Sequence, residues 1–181
     1  MKKLIPFIFA LFAIGLTGCK ELSKLTIIKL PYSVEIVIPD NLPILASPTP
    51  IETPEVQTNT ETSLGNQGYN LNMVEKVSLE KFELVIKSPS DGDLNFFKSI
   101  KIYIAAEGLP ETLVAEKDVP DSDGTRLTTI TLNCKDVDLK DYFLKDKITF
   151  KTTVTTDAIV SPEYKLDAKS VFAVDLDVLG L

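Results

Sequence analysis

The chain reads as an all-β protein: a single antiparallel β-sandwich of immunoglobulin-like type, with one or two short helical turns, preceded by a Pro/Thr-rich segment. Three observations predict this. Apolar residues recur at every second position through most of residues 71–178. Turn-forming clusters of Pro, Gly, Asp and Ser interrupt these runs at short intervals. No stretch sustains the 3.6-residue apolar period of a long helix. Strands with one apolar and one polar face, joined by short turns, bury their apolar faces by stacking one sheet on another.

The first segment lies outside that domain. Lys2 and Lys3 precede thirteen residues, Leu4 to Leu16, in which Pro6 and Gly15 are the only ones not strongly apolar. This is the charged and apolar pattern of a secretory signal, too short to span a bilayer as a mature helix. A plain signal ends in small residues, but here Leu16-Thr17-Gly18 runs directly into Cys19. That run resembles the lipobox of bacterial lipoproteins. The resemblance implies removal of residues 1–18, diacylglycerol addition to the Cys19 thiol and acylation, typically with palmitate, of the new amino terminus. Multiple acyl chains give stable anchoring.

Residues 19–38 form the second segment. From Lys24 to Ile38 β-branched residues dominate, and Pro31 divides them into two short strand-like runs. These runs either join the main sheet or pair with the sheet edge of a partner protein. Residues 39–70 read as a Pro/Thr-rich linker or crossover. Six of the ten prolines of the mature chain fall between Pro31 and Pro54, and Ser47–Ser63 is poor in apolar residues. Proline fixes φ and withholds a donor, so this stretch is expected to be extended and polyproline-like, without helix.

Residues 71–181 carry the sandwich. Val77 and Leu79 alternate with polar neighbours, then the apolar set moves to even positions at Phe82, Leu84 and Ile86, which predicts a bulge near Glu80–Lys81. Strand runs follow at Ile100-Ile102-Ile104, Leu113-Ala115, Thr128-Ile130-Leu132-Cys134, Ile148-Phe150-Thr152-Val154 and Phe172-Val174-Leu176-Val178. Turns are expected at Ser88–Asp93, Glu107–Glu111, Pro120–Gly124, Asp157 and Ser161-Pro162. Acidic residues at Asp93 and Asp136 predict short helical turns at Asp93–Lys98 and Asp136–Phe143.

The stretches Val77–Ile86, Ser88-Pro89, Asn95–Ile104 and Leu113–Ala115 are similar to small exported lipoproteins of Bacteroidota. That group lends a fold and an envelope address but no catalytic residues. Surface-directed members often carry acids after the cysteine; Lys20-Glu21 matches in part, and Leu22 stands where a second acid is expected. Periplasmic and surface attachment both stand, with the outer membrane as the expected location.

Composition narrows the function. Without residues 1–18 the net charge falls from −7 to −9, since 17 basic residues face 26 acidic ones, and Arg126 is the only arginine. Such a surface disfavours nucleic acid, whose phosphates require clustered cations. The chain has no His and no Trp. Absence of His removes the commonest general base, metal ligand and partner of a nucleophile. With Cys19 acylated, Cys134 has no disulfide partner and reads as a small core residue, the rival being a nucleophile or intermolecular bridge. Asp91-Gly92-Asp93-Leu94-Asn95 starts like a calcium loop, but Phe96 and Ile102 occupy positions where Gly and Glu are required. Asp121-Ser122-Asp123-Gly124 fails in the same way, with Arg126 and Leu132. Asp136, Asp138 and Asp141 are mixed with Lys135, Lys140, Lys145 and Lys147, as on a solvated face. Phe96 and Phe97 read as core. No metal and no cofactor is expected.

The function expected is that of a non-catalytic accessory, scaffold or binding module, held to the membrane by its N-terminal acyl chains and meeting a protein partner in the cell envelope. The rivals are a carrier of a lipid or other apolar ligand between the sheets and a carboxylate-based hydrolase.

Overall fold

The computed structural model describes residues 27–51 and 53–177. Cys19, Val178 and the remainder of residues 1–26 and 178–181 lie outside the described residues, as does Glu52.

Ten strands form two antiparallel sheets, an all-β sandwich. They are β1 (Ile27–Ile38), β2 (Thr49–Ile51), β3 (Glu55–Gln57), β4 (Val74–Ser88), β5 (Phe97–Ala105), β6 (Thr112–Asp118), β7 (Thr129–Thr131), β8 (Asn133–Cys134), β9 (Lys147–Thr156) and β10 (Tyr164–Leu176). Two short helices, α1 (Thr60–Gly65) and α2 (Lys140–Phe143), and a 3-10 turn at Leu71–Met73 complete the described elements. The first sheet has the order β1-β10-β4-β7; the second has β2-β9-β5-β6-β8, with β3 also paired to β9.

The inward side chains close the space between the sheets with aromatic rings. Phe82 on β4 meets Phe150 on β9 with ring centres 5.8 Å apart, and Phe150 lies 6.2 Å from Phe172 on β10. Phe172 also contacts Phe143 of α2 at 4.5 Å and Tyr32 of β1 at 5.8 Å. Large rings in edge and offset contact fill volume densely and add specific attraction to their area burial.

The shift of parity at Glu80 is a bulge: Val171 faces Lys81 and Phe172 faces Leu79, leaving Glu80 as the extra residue. The strand thereby keeps Leu79 and Phe82, three positions apart, both buried. Residues 27–38, by contrast, are one strand and not two. β1 pairs with β10 without a break from Ile27↔Asp175 to Ile38↔Tyr164, through Pro31 opposite Val171. The bonding parity explains how proline is tolerated. Ile86 N–H bonds the Thr128 carbonyl and the Phe82 carbonyl accepts from Leu132 N–H, so even-numbered residues of β4 address β7. Alternation across β4, β10 and β1 then turns the odd-numbered residues of β1 outward. The missing N–H of Pro31 falls on the open edge, where a ladder loses nothing.

Residues 39–70 cross to the second sheet and return. Leu42 makes a bridge with Val160, β2 and β3 lie along β9, and Leu64 of α1 is buried. The expectation of an extended, helix-free Ser47–Ser63 is corrected at its end, because α1 begins at Thr60. Leu64 supplies a buried anchor, and the turn returns the chain to β4.

Two further expectations are corrected. Asp93–Lys98 is not a helical turn: β5 starts at Phe97, and Asp93 is occupied in bonding two loop N–H groups. Only Lys140–Phe143 of the expected Asp136–Phe143 turn is helical. The alternating run from Thr128 to Cys134 is divided between sheets, with β7 on β4 and β8 on β6.

Ile102 on β5 is fully buried in the centre of the core. Ile102→Asp is expected to abolish folding, since an unpaired carboxylate there costs more than a domain of this size can lose. A soluble variant with a cooperative thermal transition would contradict the register.

Candidate binding surface

The connections β1–β2, β4–β5, β6–β7 and β9–β10 gather at the end of the sandwich where β1 finishes. Thr156 N–H bonds the Leu45 carbonyl, Asp157 N–H bonds the Phe96 carbonyl, and Leu94 N–H bonds the Leu127 carbonyl, tying the four loops together.

Tyr164 stands at their centre. Its ring meets Phe96 at 5.2 Å and its hydroxyl accepts the N–H of Asp93 at 3.2 Å. Gly92 passes so close that a Cβ there would stand 2.7 Å from Tyr164 Cε1 and 2.9 Å from the Pro89 carbonyl oxygen. Arg126 donates from Nε to the Gly92 carbonyl at 2.7 Å and from its terminal nitrogen to the Ser90 carbonyl. The lone arginine therefore fastens one loop to another through backbone carbonyls.

Asp93 completes the fastening. Oδ1 accepts from Asn95 N–H at 2.9 Å and from Leu127 N–H at 3.1 Å, and Oδ2 accepts from the Asn95 amide at 2.9 Å. Partial burial pushes its carboxyl pKa up, but these bonds and nearby Arg126 outweigh it and hold the pKa below the ordinary value.

Around this scaffold the surface is apolar at two tips. Ile44 is 55% exposed and Ile159 is 65% exposed. They sit on neighbouring chains, because residues 42–45 run antiparallel to 156–160 between the Val160–Leu42 and Thr156–Leu45 bonds. A groove of about 620 Å³ lies between the end of β1 and residues 49–54, lined by Glu35, Val37, Leu42, Pro50, Ile51 and Pro54 among others. Asp40, Asp91, Asp123 and Glu163 are exposed at the same end, and none has an ion-pair partner among the described residues. This end of the molecule therefore combines two exposed apolar tips with exposed carboxylates.

The residues singled out from sequence are dispersed. Cys19 lies outside the described residues. Cys134 is half-buried, and burial raises its thiol pKa, the reverse of what a nucleophile requires. Phe97 is fully buried and Phe96 nearly so. Asp121 is held to Lys98 and its pKa is pulled down by that ammonium; Asp123 caps Thr125 N–H at 2.8 Å. Asp136 pairs with Lys76 at 2.9 Å, and Asp138 accepts from the N–H groups of Val77 and Lys140. Among the described residues no group of three or more His, Cys, Asp or Glu converges on a point that could hold a metal. The exposed Ile44 and Ile159 escaped sequence reading because an isolated isoleucine between prolines, or in a turn, has no periodic partner to reveal which way it faces.

No family model matches the chain, and no curated protein matches it.

Two expected outcomes follow from the Tyr164 scaffold. Gly92→Ala should lose about 1–3 kcal/mol in denaturant unfolding, because Tyr164 and the Pro89 carbonyl must both shift. Asp93→Ala should lose about 1–2 kcal/mol at neutral pH, where two backbone N–H groups lose their acceptor. A lowered carboxyl pKa contributes stability above the unfolded-state pKa and loses it as pH falls through the folded-state pKa. The difference between Asp93→Ala and the parent should therefore shrink on acidification below about pH 4. A difference that stays constant into the acid range would show that the carboxylate charge plays no part.

Proposed function

We propose that this chain is a lipid-anchored, non-catalytic binding module of the bacterial outer membrane. The observation that carries the reading is the run Leu16-Thr17-Gly18-Cys19 at the end of an apolar segment preceded by two lysines. Cys19 stands eight positions before Ile27, where β1 begins. At ~3.3–3.6 Å per residue, that tether reaches at most ~28 Å, so acylation keeps the folded domain within its own length of the bilayer. Anchoring raises local concentration toward any membrane-held protein, and weak contacts suffice under that condition.

The partner is a protein of the cell envelope, met at the loop end through Ile44 and Ile159. Nucleic acid is disfavoured by the acidic surface. A binding role is further supported by how the reactive groups are used. Most carboxylates on the sheet faces pair with lysines, and the loop carboxylate Asp93 holds backbone. The rival of an apolar-ligand carrier needs interior room, whereas Phe82, Phe143, Phe150 and Phe172 occupy the space between the sheets. Among the described residues no helix is long and apolar enough to cross a membrane, so the proposed attachment rests on Cys19.

Cys19→Ala should eliminate incorporation of labelled palmitate and move the protein out of the membrane fraction. Unchanged labelling and fractionation would refute lipidation.

A further inference from the structure

β1 is the only strand longer than three residues that forms an edge among the described residues. Its odd-numbered residues point their backbone groups outward along twelve positions. Long open edges pair with other strands unless something blunts them. Here the outward face of β1 carries a particular order: Ile27, Lys29, Pro31, then Ser33, Glu35, Val37. Read from its two ends, that order is complementary, with an apolar residue at each end and opposite charges next.

We propose that two copies of this chain associate by antiparallel pairing of their β1 edges, about a two-fold axis at Tyr32. Ile27 then stands opposite Val37 of the second copy, Lys29 opposite Glu35, and Pro31 opposite Ser33. Directly opposed residues of an antiparallel pair share a face, so all these contacts form on the outer surface of the sheet. Ile27 and Val37 are 36% and 40% exposed in the single chain, two of the few large apolar side chains left at the surface. Each gains an apolar neighbour.

The charges decide the occupant. Lys29 is ion-paired with Glu80, and Glu35 with Lys87 at 2.8 Å, across the intervening β10. Across the seam the order becomes Glu80, Lys29, then Glu35 and Lys87 of the second copy, alternating in sign. Sliding the register by two residues sets Ile27 against Glu35, or Lys29 against Val37, and loses both matches. Pro31 withholds one donor from each edge, which penalises indiscriminate strand addition. Opposite it the small Ser33 leaves room for the ring. The contact is isologous, the same patch meeting itself, as closed two-fold dimers require. Two four-stranded sheets become one of eight strands.

The pairing does not involve Cys19 and stands apart from the anchoring proposal. If both hold, the tethers leave from opposite ends of the paired strands, ~33 Å apart at ~3.3 Å per residue, and reach one bilayer when β1 lies parallel to it.

The test is the molar mass of the full chain in detergent, measured by light scattering with the detergent subtracted. The unaltered chain should give the mass of two copies. Lys29→Glu and Glu35→Lys should each weaken association by about tenfold or more, because each sets like charges opposite one another at both symmetric positions. Combining Lys29→Glu with Glu35→Lys should restore it. The intrachain pairs to Glu80 and Lys87 are exposed and worth little, so all variants should still fold and unfold cooperatively. A one-copy mass for the unaltered chain at the highest attainable concentration would overturn the proposal. So would a two-copy mass indifferent to both charge reversals.

Discussion

The pairing of β10 between β1 and β4 is the constraint on which the rest depends. It joins the first described strand to the last: Ile27 lies opposite Asp175, and Lys76 lies on the other side of the same residue. The inward side chains of β10 also carry the middle of the core, since Phe172 contacts Tyr32, Phe143 and Phe150. Tyr164, at the start of the strand, organises the loop end through Phe96, Gly92 and Asp93. A single strand therefore links the aromatic layer, the edge and the binding surface. None of these can be complete before residues 164–176 are in place, which puts the most distant pairings late in the chain and implies slow folding.

The prolines have one purpose in the two sheets. Pro31 faces outward on β1, while Pro48, Pro50 and Pro54 lie in or beside β2 and β3, the interrupted edge of the second sheet. Both edges on this side of the sandwich thus carry residues that cannot donate a ladder bond. Exposed sheet edges invite aggregation, and proline is a standard means of blunting them. The composition of 39–70, which in sequence suggests a spacer, makes physical sense as a guarded edge. Chain that must lie beside β9 without recruiting a further strand is short in its pairings and rich in proline. On β1 the guard is a single position, and the open edge on either side of it retains its self-complementary side chains.

Much of the sandwich was legible in the sequence because period-two patterning is a local signal that burial on one face enforces. The bulge at Glu80 was legible for the same reason: a change of parity has no other economical cause within one strand. What escaped depends on non-local geometry. Pro31 splits a run in sequence but not in space, and only the bonding parity set by β4 and β10 shows why. The run Thr128–Cys134 alternates without a break while the chain passes from one sheet to the other, since both sheets want the same alternation. Thr60–Gly65 lacks a helical period because one buried residue, Leu64, is all that so short a helix needs. In sequence Asp93 reads as the start of a helical turn. An acid that satisfies N–H groups at a helix terminus satisfies two N–H groups in a loop equally well, and which it does depends on Leu127, thirty-four positions away. The loop surface was the least legible part, being assembled from four segments that meet only in three dimensions.

Electrostatics then separates the places where this molecule can make contact from those where it cannot. On the outer face of the first sheet, Lys29, Glu35, Glu80, Lys81, Glu83, Lys87 and Asp167 are tied into ion pairs within the chain. Such a face is solvated, and its lysines and carboxylates alternate in sign up to the open edge at β1. At the loop end Arg126 is held by backbone carbonyls, and Lys98 by Asp121 and Asp157. The carboxylates left over there surround exposed isoleucines and prolines. Contacts that combine an apolar centre with a charged rim gain their energy from the former and their selectivity from the latter. A second copy carries the same rim and is repelled at this end. At β1, where opposite charges face each other across the two-fold, it is attracted. In the proposed arrangement, self-association therefore uses the strand edge and leaves the loop end to the proposed partner.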